Sequence, residues 1–213
     1  ARWEDTNGQR LAIQINKAFD NLLKENEEEE KEQMSGKKFM IYGGCFCPPH
    51  KGHFNLVKNN YKKYDKIYIC LYGDGSKRHN IPVSTSKQIW SSYVNLLKDN
   101  QNIKIKILPN SKSYPQLDCL NEMKNEISDG DTVSIYVGDD YTQPRINMMQ
   151  REAEKIIRNQ KINIIKIPRD QYSATQFMKD FIIYKQSLSK VATYIPKGVE
   201  DETIKLLFRF NMK

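Results

Sequence analysis

The amino-acid sequence predicts an α/β fold: a Rossmann-like, open parallel five-stranded sheet with helices on both faces, preceded by an N-terminal helical extension. From Lys38 onward, short runs of β-branched and aromatic residues alternate with stretches of helical periodicity. This alternation is typical of a parallel sheet covered on both faces by its crossover helices. The most unusual residues follow predicted strands, at the edge where such sheets bind ligands.

The spacing of apolar residues predicts each element in turn. Strands are predicted over residues 39–42, 66–72, 103–108, 132–137 and 162–167. Helices are predicted over residues 52–63, 86–98, 115–127, 147–158, 175–185 and 201–210. In the second of these helices, the predicted buried face consists of Ile89, Trp90, Tyr93, Leu96 and Leu97.

Residues 1–36 form the predicted extension, and residues 37–213 form the main domain, on which the C-terminal helices of residues 173–213 pack. Within the extension, a helix is predicted over residues 8–33. Its apolar stripe consists of Leu11, Ile15, Ala18, Phe19 and Leu22. A stripe of this kind needs a partner, which is either the main domain or another protein or subunit.

Composition limits the classes of function. The chain has 213 residues and a formal net charge of +8, and its lysines are scattered through every segment. Since they are not gathered into one arm, the charge does not predict a nucleic-acid partner. No apolar run reaches the roughly 18 residues of a membrane-spanning helix, and no signal peptide is recognisable, so we expect a soluble, cytoplasmic protein without a membrane partner.

The four cysteines do not have the spacing of a small disulfide scaffold. They are Cys45, Cys47, Cys70 and Cys119. The sequence therefore predicts free thiols in a reducing compartment.

The densest group of unusual residues follows the first predicted strand. Gly43 and Gly44 allow a bulky ligand to pass close to the backbone. His50 and His53 lie three residues apart across Gly52, so both imidazoles can face one point near a helix N-terminus. The backbone amides and the helix dipole at that N-terminus favour phosphate. The two imidazoles would then donate to oxygens that gain charge as a phosphoanhydride bond breaks.

This segment resembles the signature G-x-F-x-P-x-H-x-G-H of the HxGH nucleotidyltransferase superfamily. The matching positions are Gly44, Phe46, Pro48, His50, Gly52 and His53. The superfamily includes nicotinamide mononucleotide adenylyltransferases, pantetheine-phosphate adenylyltransferases, and the glycerol- and choline-phosphate cytidylyltransferases. The resemblance covers about residues 38–185. It implies catalytic roles for His50, His53 and Lys51, and nucleotide binding by Gly43, Gly44, Cys45, Phe46 and Gly52.

Two other interpretations also fit the same residues. Cys45, Cys47, His50 and His53 form a C-x-C-x2-H-x2-H pattern, which superficially suggests zinc. A C-x-C pair that passes from a strand into a loop points its thiols in opposite directions, which makes tetrahedral closure awkward. The second interpretation is a pair of structural histidines bonded to the backbone.

A second motif follows the fifth predicted strand. Ser173 and Gln176 form a capping-box pattern, which predicts a helix start at the ligand edge of the sheet. In the superfamily the corresponding segment resembles S-x-T-x-x-R and binds the β- and γ-phosphates. Ser173 and Thr175 match this pattern, whereas Met178 occupies the arginine position. Without that arginine, triphosphate binding would weaken unless another cation compensates.

Further candidate residues lie in three loops and one helix. Lys77 and Arg78 follow the second predicted strand, and Arg169 and Lys179 flank the second motif. Each of these cations is a candidate phosphate contact. Gly138 and Asp139, after the fourth strand, resemble the superfamily's G-x-D turn, which implies that they line the nucleotide site.

The resemblance also implies the reaction. An acceptor phosphate attacks the α-phosphorus of a nucleoside triphosphate in line and pyrophosphate leaves, with Mg²⁺ as the cofactor. ATP and nicotinamide mononucleotide are the favoured substrates, which would place the enzyme in NAD biosynthesis. CTP with a sugar- or alcohol-phosphate stays open as an alternative. So does a structural or assembly role, such as a phage virion component, since the motif arginine is lost and a helix is added.

Overall fold

The computed structural model describes residues 13–22, 24, 36–73, 81–108, 114–168, 170–183 and 188–211. The chain divides into two compact units, residues 1–36 and residues 37–213. In the first unit, helix α1 covers residues 13–22. Its large apolar side chains, Ile13, Ile15, Phe19 and Leu22, are exposed. Most of the remaining predicted helix lies outside the described residues, and the partner of the stripe stays a prediction.

The second unit alternates strands and helices. Its strands are β1 (Lys38–Gly44), β2 (Lys66–Leu71), β3 (Ile103–Ile107), β4 (Thr132–Val137) and β5 (Lys161–Lys166). Its helices are α2 (Lys51–Asn60), α3 (Val83–Val94), α4 (Pro115–Met123), α5 (Gln143–Ile156), α6 (Ala174–Ile183), α7 (Leu188–Ala192) and α8 (Glu200–Asn211). Short 3₁₀ turns extend α2 and α4, at Tyr61–Lys63 and Lys124–Glu126. The predicted α/β class is confirmed.

All neighbouring strands of the five-stranded sheet are parallel, in the order β3-β2-β1-β4-β5. The chain runs outward from β1 through β2 to β3, and then returns to pair β4 with the other side of β1. Ligands of open α/β sheets bind where the strand order reverses in this way, beyond the carboxyl ends of the strands. Here that point lies between β1 and β4.

The central strand separates two apolar cores, one on each face of the sheet. Met40 and Tyr42 contribute to the core that contains residues of α2, α3, α6 and α8. Phe39 and Ile41 contribute to the core that contains residues of α4 and α5. This alternation is the period-2 pattern of a strand buried on both faces. The functional groups described below are therefore carried on helices from both sides.

The prediction of four free thiols is wrong for Cys70 and Cys119, which form a disulfide. Cys70 lies in β2 and Cys119 lies in α4, and both side chains are fully buried. Their 49-residue separation in sequence carries no local signal. They meet because α4 packs on the sheet face to which Cys70 points. The Cys47 thiol donates a hydrogen bond of 3.0 Å to the carbonyl oxygen of Cys45.

Three helix assignments differ from the sequence prediction. Helix α3 begins at Val83 rather than at residue 86, and its buried face already includes Thr85. Because it ends at Val94, Leu96 lies beyond it, and the prediction that Leu96 is buried is wrong, since its side chain is exposed. Helix α5 begins at Gln143 because proline is tolerated in a first helical turn, where Pro144 lies. The short helix α7 was not predicted. Within the described ranges, no helix is both long and apolar enough to cross a membrane.

Candidate active site

The two histidines of the first motif build the first turn of α2. His50 is the N-cap residue, with an extended backbone (φ −131°, ψ 174°). Its Nδ1 atom accepts a hydrogen bond of 3.2 Å from the Gly52 N–H. The Nδ1 atom of His53 accepts a bond of 3.2 Å from the His50 N–H. This reciprocal arrangement is a capping box made of two imidazoles, and their rings stack with centroids 3.6 Å apart.

These hydrogen bonds decide which ring nitrogen carries the proton. A backbone N–H only donates, so each Nδ1 is an acceptor, and each neutral ring is protonated at Nε2. Burial lowers the pKa of His50 to about 4. Burial, followed by the neighbouring His50, lowers the pKa of His53 well below its ordinary value. At neutral pH both side chains are therefore uncharged Nε2–H donors.

The first backbone amides of α2 already have partners within the protein. The Lys51 N–H donates to the Tyr194 carbonyl oxygen at 2.7 Å, and the Gly52 N–H donates to His50. These two amides hold the histidines and the chain around them, and phosphate binding at this N-terminus stays a prediction. The donors that remain for a ligand are the imidazole Nε2–H groups.

A cluster of aromatic rings packs behind His53. The Phe46 ring lies with its centroid 4.9 Å from those of His53 and Tyr42, and 5.3 Å from that of Trp90. This packing holds Phe46 at φ 47°, which is rare for a bulky residue. A Cβ atom at Gly44 would lie 2.9–3.2 Å from the Phe46 ring. Glycine at position 44 is therefore a steric requirement of the aromatic cluster.

We expect Gly44→Ala to lower the free energy of unfolding by about 1–3 kcal/mol, since the added methyl overpacks the Phe46 ring. Urea denaturation measures the change. Gly138→Ala is the matched control, because its Cβ would approach only the movable Asp140 carboxylate, at 2.6 Å. Equal losses in both variants would contradict the steric explanation.

The second motif begins α6 as predicted. The Ser173 Oγ atom accepts a hydrogen bond of 3.3 Å from the Gln176 N–H. The Gln176 side chain does not return to the cap; its amide donates to Asp180 Oδ1 at 2.9 Å. Because Ser173 acts as an acceptor in this cap, its own hydroxyl hydrogen remains available for a ligand.

The two motifs meet at Gly52. A Cβ atom at this position would collide with the Asp170 carboxylate, so a side chain there would separate the loop before α6 from α2. The Asp170 Oδ1 atom also accepts a hydrogen bond of 2.8 Å from the Tyr172 N–H. Gly52 thus contributes to the site by allowing the close approach of the second motif.

Tyr194 ties the same two helices together. Its hydroxyl donates to Asp180 Oδ2 at 2.6 Å, and its ring stacks on Phe177 with centroids 5.0 Å apart. Its carbonyl oxygen accepts the Lys51 N–H. Burial, followed by the hydrogen bond to Asp180, raises the pKa of Tyr194 to about 12, so the hydroxyl stays protonated. Tyr194 and Asp180 were not predicted from the sequence, since neither belongs to a motif.

A cleft of about 420 Å³ opens at the carboxyl edge of the sheet, between β1 and β4. The predicted residues that line it are Gly43, Gly44, Cys45, Phe46, His53, Gly138, Ser173 and Thr175. Four other predicted residues are not part of this lining, namely His50, Lys51, Gly52 and Asp139. The structure adds lining residues that the sequence analysis did not single out, among them Tyr42, Tyr72, Gln116, Asp140 and Tyr141.

The cleft has few charges. Among the described residues that line it, Asp140 is the one charged side chain, and none is Lys or Arg. Met178, at the superfamily's arginine position, is 3% exposed and belongs to the core with Phe177. Lys179 is exposed. The other predicted phosphate contacts, Lys77, Arg78 and Arg169, lie outside the described residues.

The zinc interpretation gains no support from the donor geometry. The Nδ1 atoms of His50 and His53 accept hydrogen bonds from backbone N–H groups, which leaves the Nε2 atoms as their possible metal ligands, and the Cys47 thiol donates to a carbonyl. Over the described part of the chain, no group of three or more His, Cys, Asp or Glu side chains is arranged to hold a metal ion.

Comparison with known proteins identifies relatives. Residues 41–195 match the family described as cytidylyltransferase-like. A phosphopantetheine adenylyltransferase of Mycoplasma capricolum is 36% identical over 74 residues, which span 34% of this chain and only 50% of that enzyme. A nicotinamide-nucleotide adenylyltransferase of Pyrobaculum arsenaticum is 26% identical over 171 residues, which span 78% of this chain and 87% of that enzyme.

Solved structures share the fold. The nicotinic acid mononucleotide adenylyltransferase of Plasmodium falciparum in complex with NaAD superposes with a TM-score of 0.57 at 15% identity, covering 83% of this chain and 97% of that chain. Its complex with APC gives a TM-score of 0.53 at 16% identity, covering 83% and 96%. The family match covers more than half of this chain and includes both motifs. The chain therefore belongs to the cytidylyltransferase-like family, and it is a nucleotidyltransferase.

Proposed function

We propose that the protein transfers AMP from ATP to the phosphate of nicotinamide mononucleotide and releases pyrophosphate. The observation that carries the proposal is the stacked histidine pair, whose Nδ1 atoms are both held as acceptors. Both rings thereby become fixed Nε2–H donors beside a cleft that the second motif also lines. The Pyrobaculum arsenaticum relative, aligned over 78% of this chain, supports the choice of acceptor.

In the proposed step, an oxygen of the acceptor phosphate attacks the α-phosphorus of ATP. The bond from that phosphorus to the bridging oxygen breaks, and pyrophosphate leaves with the electron pair. His53 lines the cleft and would donate its Nε2–H to an α-phosphate or bridging oxygen, with His50 stacked beside it. Neutral imidazoles stabilise this charge without losing a proton. No general base is needed, because a phosphate monoester is already largely a dianion at neutral pH.

The leaving phosphates would lie near the N-terminus of α6. Ser173 and Thr175 line the cleft there, and a helix N-terminus favours anions. Lys51 and Lys179 are the described cations closest in sequence to the two motifs. Since no Lys or Arg lines the cleft among the described residues, we expect further phosphate contacts from Lys77, Arg78 and Arg169.

On the other side of the reacting phosphorus, Gly43 and Gly44 line the cleft together with Gly138. We expect the base and ribose of the nucleotide to lie against the backbone of these glycines. Asp139, in the turn after β4, would bond to a ribose hydroxyl.

A divalent metal ion would enter the site with the triphosphate. The structure of a bifunctional NMN adenylyltransferase/ADP ribose pyrophosphatase of Francisella tularensis, TM-score 0.54 at 16% identity over 81% of this chain and 49% of that chain, is a complex with AMP and a manganese ion. Mg²⁺ is usually bound by substrate phosphates and water with one or two carboxylates. The described lining offers one carboxylate, Asp140, which fits this mode. We expect Mg²⁺ as the ion, neutralising the charge of the departing pyrophosphate.

Pyrophosphate release tests the proposal. ATP or CTP is supplied with Mg²⁺ and one of four acceptors: nicotinamide mononucleotide, phosphopantetheine, glycerol 3-phosphate or phosphocholine. We expect release with ATP and nicotinamide mononucleotide, and its loss in His53→Ala. Release only with another nucleotide or another acceptor would show that the proposed substrate is wrong while adenylyl or cytidylyl transfer itself stands. Binding of ATP without any release would overturn the proposal in favour of a structural role, which the buried Met178 and the weakly charged cleft would then explain.

A further inference from the structure

Gln116 carries an unusual combination of burial and incomplete hydrogen bonding. It lies in the first turn of α4, is 2% exposed, and lines the cleft. Its Nε2 atom donates to the Gly43 carbonyl oxygen at 3.3 Å. Its Oε1 atom is buried and has no hydrogen-bond partner among the described residues. Buried polar atoms are nearly always paired, so an unpaired one beside a cleft indicates a ligand donor.

The orientation of the Gln116 amide is fixed by its neighbours. A carbonyl oxygen only accepts, so the Gly43 oxygen requires the NH₂ end of the amide beside it. A flipped amide would place two acceptor oxygens against each other. The NH₂ group also donates toward the Tyr141 hydroxyl. Burial, the larger effect, raises the pKa of Tyr141, whereas this hydrogen bond lowers it. With the NH₂ end occupied in this way, the oxygen end is the one left for a ligand.

The position of Gln116 assigns it to the acceptor rather than to the phosphates of ATP. His53, Ser173 and Thr175 are carried by the helices of one sheet face. Gln116 is carried by α4, on the opposite face, where Tyr141 is part of the core and Tyr72 packs against it. This side of the cleft is aromatic, and no Lys or Arg is among the described residues that line it; the Arg145 guanidinium lies outside the lining, 4.3 Å from the centroid of the Tyr141 ring.

We propose that Gln116 determines acceptor specificity by accepting a hydrogen bond from the carboxamide N–H of the acceptor's ring substituent, so that the site selects a carboxamide over a carboxylate or a ketone. The inference rests on the adenylyl transfer proposed above. A carboxamide supplies the donor that Oε1 lacks. A carboxylate would place a negative charge near that oxygen and near Asp140, and a methyl ketone would leave the oxygen unpaired.

The test changes the carboxamide NH₂ group of the acceptor and, separately, the Gln116 amide of the protein. Values of kcat/KM are measured for nicotinamide mononucleotide and for its 3-acetylpyridine analogue, in which CH₃ replaces the NH₂ group. Both acceptors are used with wild type and with Gln116→Met, which keeps the length and removes the amide. We expect wild type to favour the carboxamide roughly tenfold to a hundredfold, and Gln116→Met to show a ratio near one. The KM for ATP should be unchanged.

The outcomes separate the two proposals. Turnover in wild type with the same acceptor ratio in both proteins would overturn the role of Gln116 and leave adenylyl transfer standing. Absence of turnover in wild type with either acceptor would overturn the proposed function. In that case the affinities of wild type for nicotinamide mononucleotide and for its 3-acetylpyridine analogue are measured by calorimetry. Equal affinities would overturn the specificity role of Gln116 as well. If Gln116→Met does not fold, the nicotinic acid analogue on wild type serves instead, and equal use of acid and amide contradicts the inference.

Discussion

Replacing His53 with asparagine is expected to lower kcat for pyrophosphate release by about a hundredfold to a thousandfold, the usual effect of removing one preorganised donor to a developing negative charge. Asparagine can still accept the His50 N–H that His53 Nδ1 now accepts at 3.2 Å. It has no group at the position of Nε2, so the donor to the phosphate is lost while the helix cap is kept. Steady-state kinetics with saturating ATP and acceptor measures the effect.

Two comparisons make this prediction specific. The thermal midpoint of His53→Asn should stay close to that of wild type, because the cap is preserved. His53→Gln, whose longer side chain carries its NH₂ group further out, should recover part of the lost kcat. A variant that folds normally and keeps full activity would show that His53 has only a structural role.

The second large effect concerns the dependence of stability on pH. The pKa of His50 is lowered to about 4 by burial, and burial also lowers that of His53, whereas an unfolded histidine titrates near pH 6.5. Below that pH the unfolded chain binds protons that the folded chain does not bind. The free energy of unfolding should therefore be highest above about pH 6.5 and should fall by up to about 1.4 kcal/mol per pH unit for each histidine as the pH decreases toward 4.

Urea denaturation at about pH 7 and about pH 5 measures this loss. His50→Asn is the matched variant, since asparagine is a favourable N-cap that can accept the Gly52 N–H but does not titrate. Its stability should fall less steeply over the same range. Identical slopes in the two proteins would show that His50 does not resist protonation in the folded state.

The fold was predictable because its signals are local and repeated. Each strand is a short apolar run and each crossover helix has its own periodic face, so the order of elements followed from the sequence. The HxGH motif and the start of α6 were predictable for a related reason, since each is contained in about ten residues. Helix α7 has five residues and one buried side chain, Val191, which is too short for periodicity to reveal.

The rest of the site depends on contacts between distant segments. Gln116 approaches Gly43 across 73 residues of sequence, and Cys70 meets Cys119 only because α4 packs on one face of the sheet. The protonation state of the histidines was equally hidden, because it depends on which backbone N–H each Nδ1 accepts. Residue types and spacing locate such a site, but its hydrogen bonds are set by tertiary packing.

The carbonyl of Tyr194 has a consequence for how the enzyme matures during translation. The histidine segment leaves the ribosome before the helix that begins just after Ser173, and that helix leaves before Tyr194, whose carbonyl oxygen accepts the Lys51 N–H. Domains generally fold as units once their chain has been made. A nascent chain that has folded its first strands would therefore lack a finished phosphate site, and nucleotide binding would begin only when α6 and the segment that contains Tyr194 have docked.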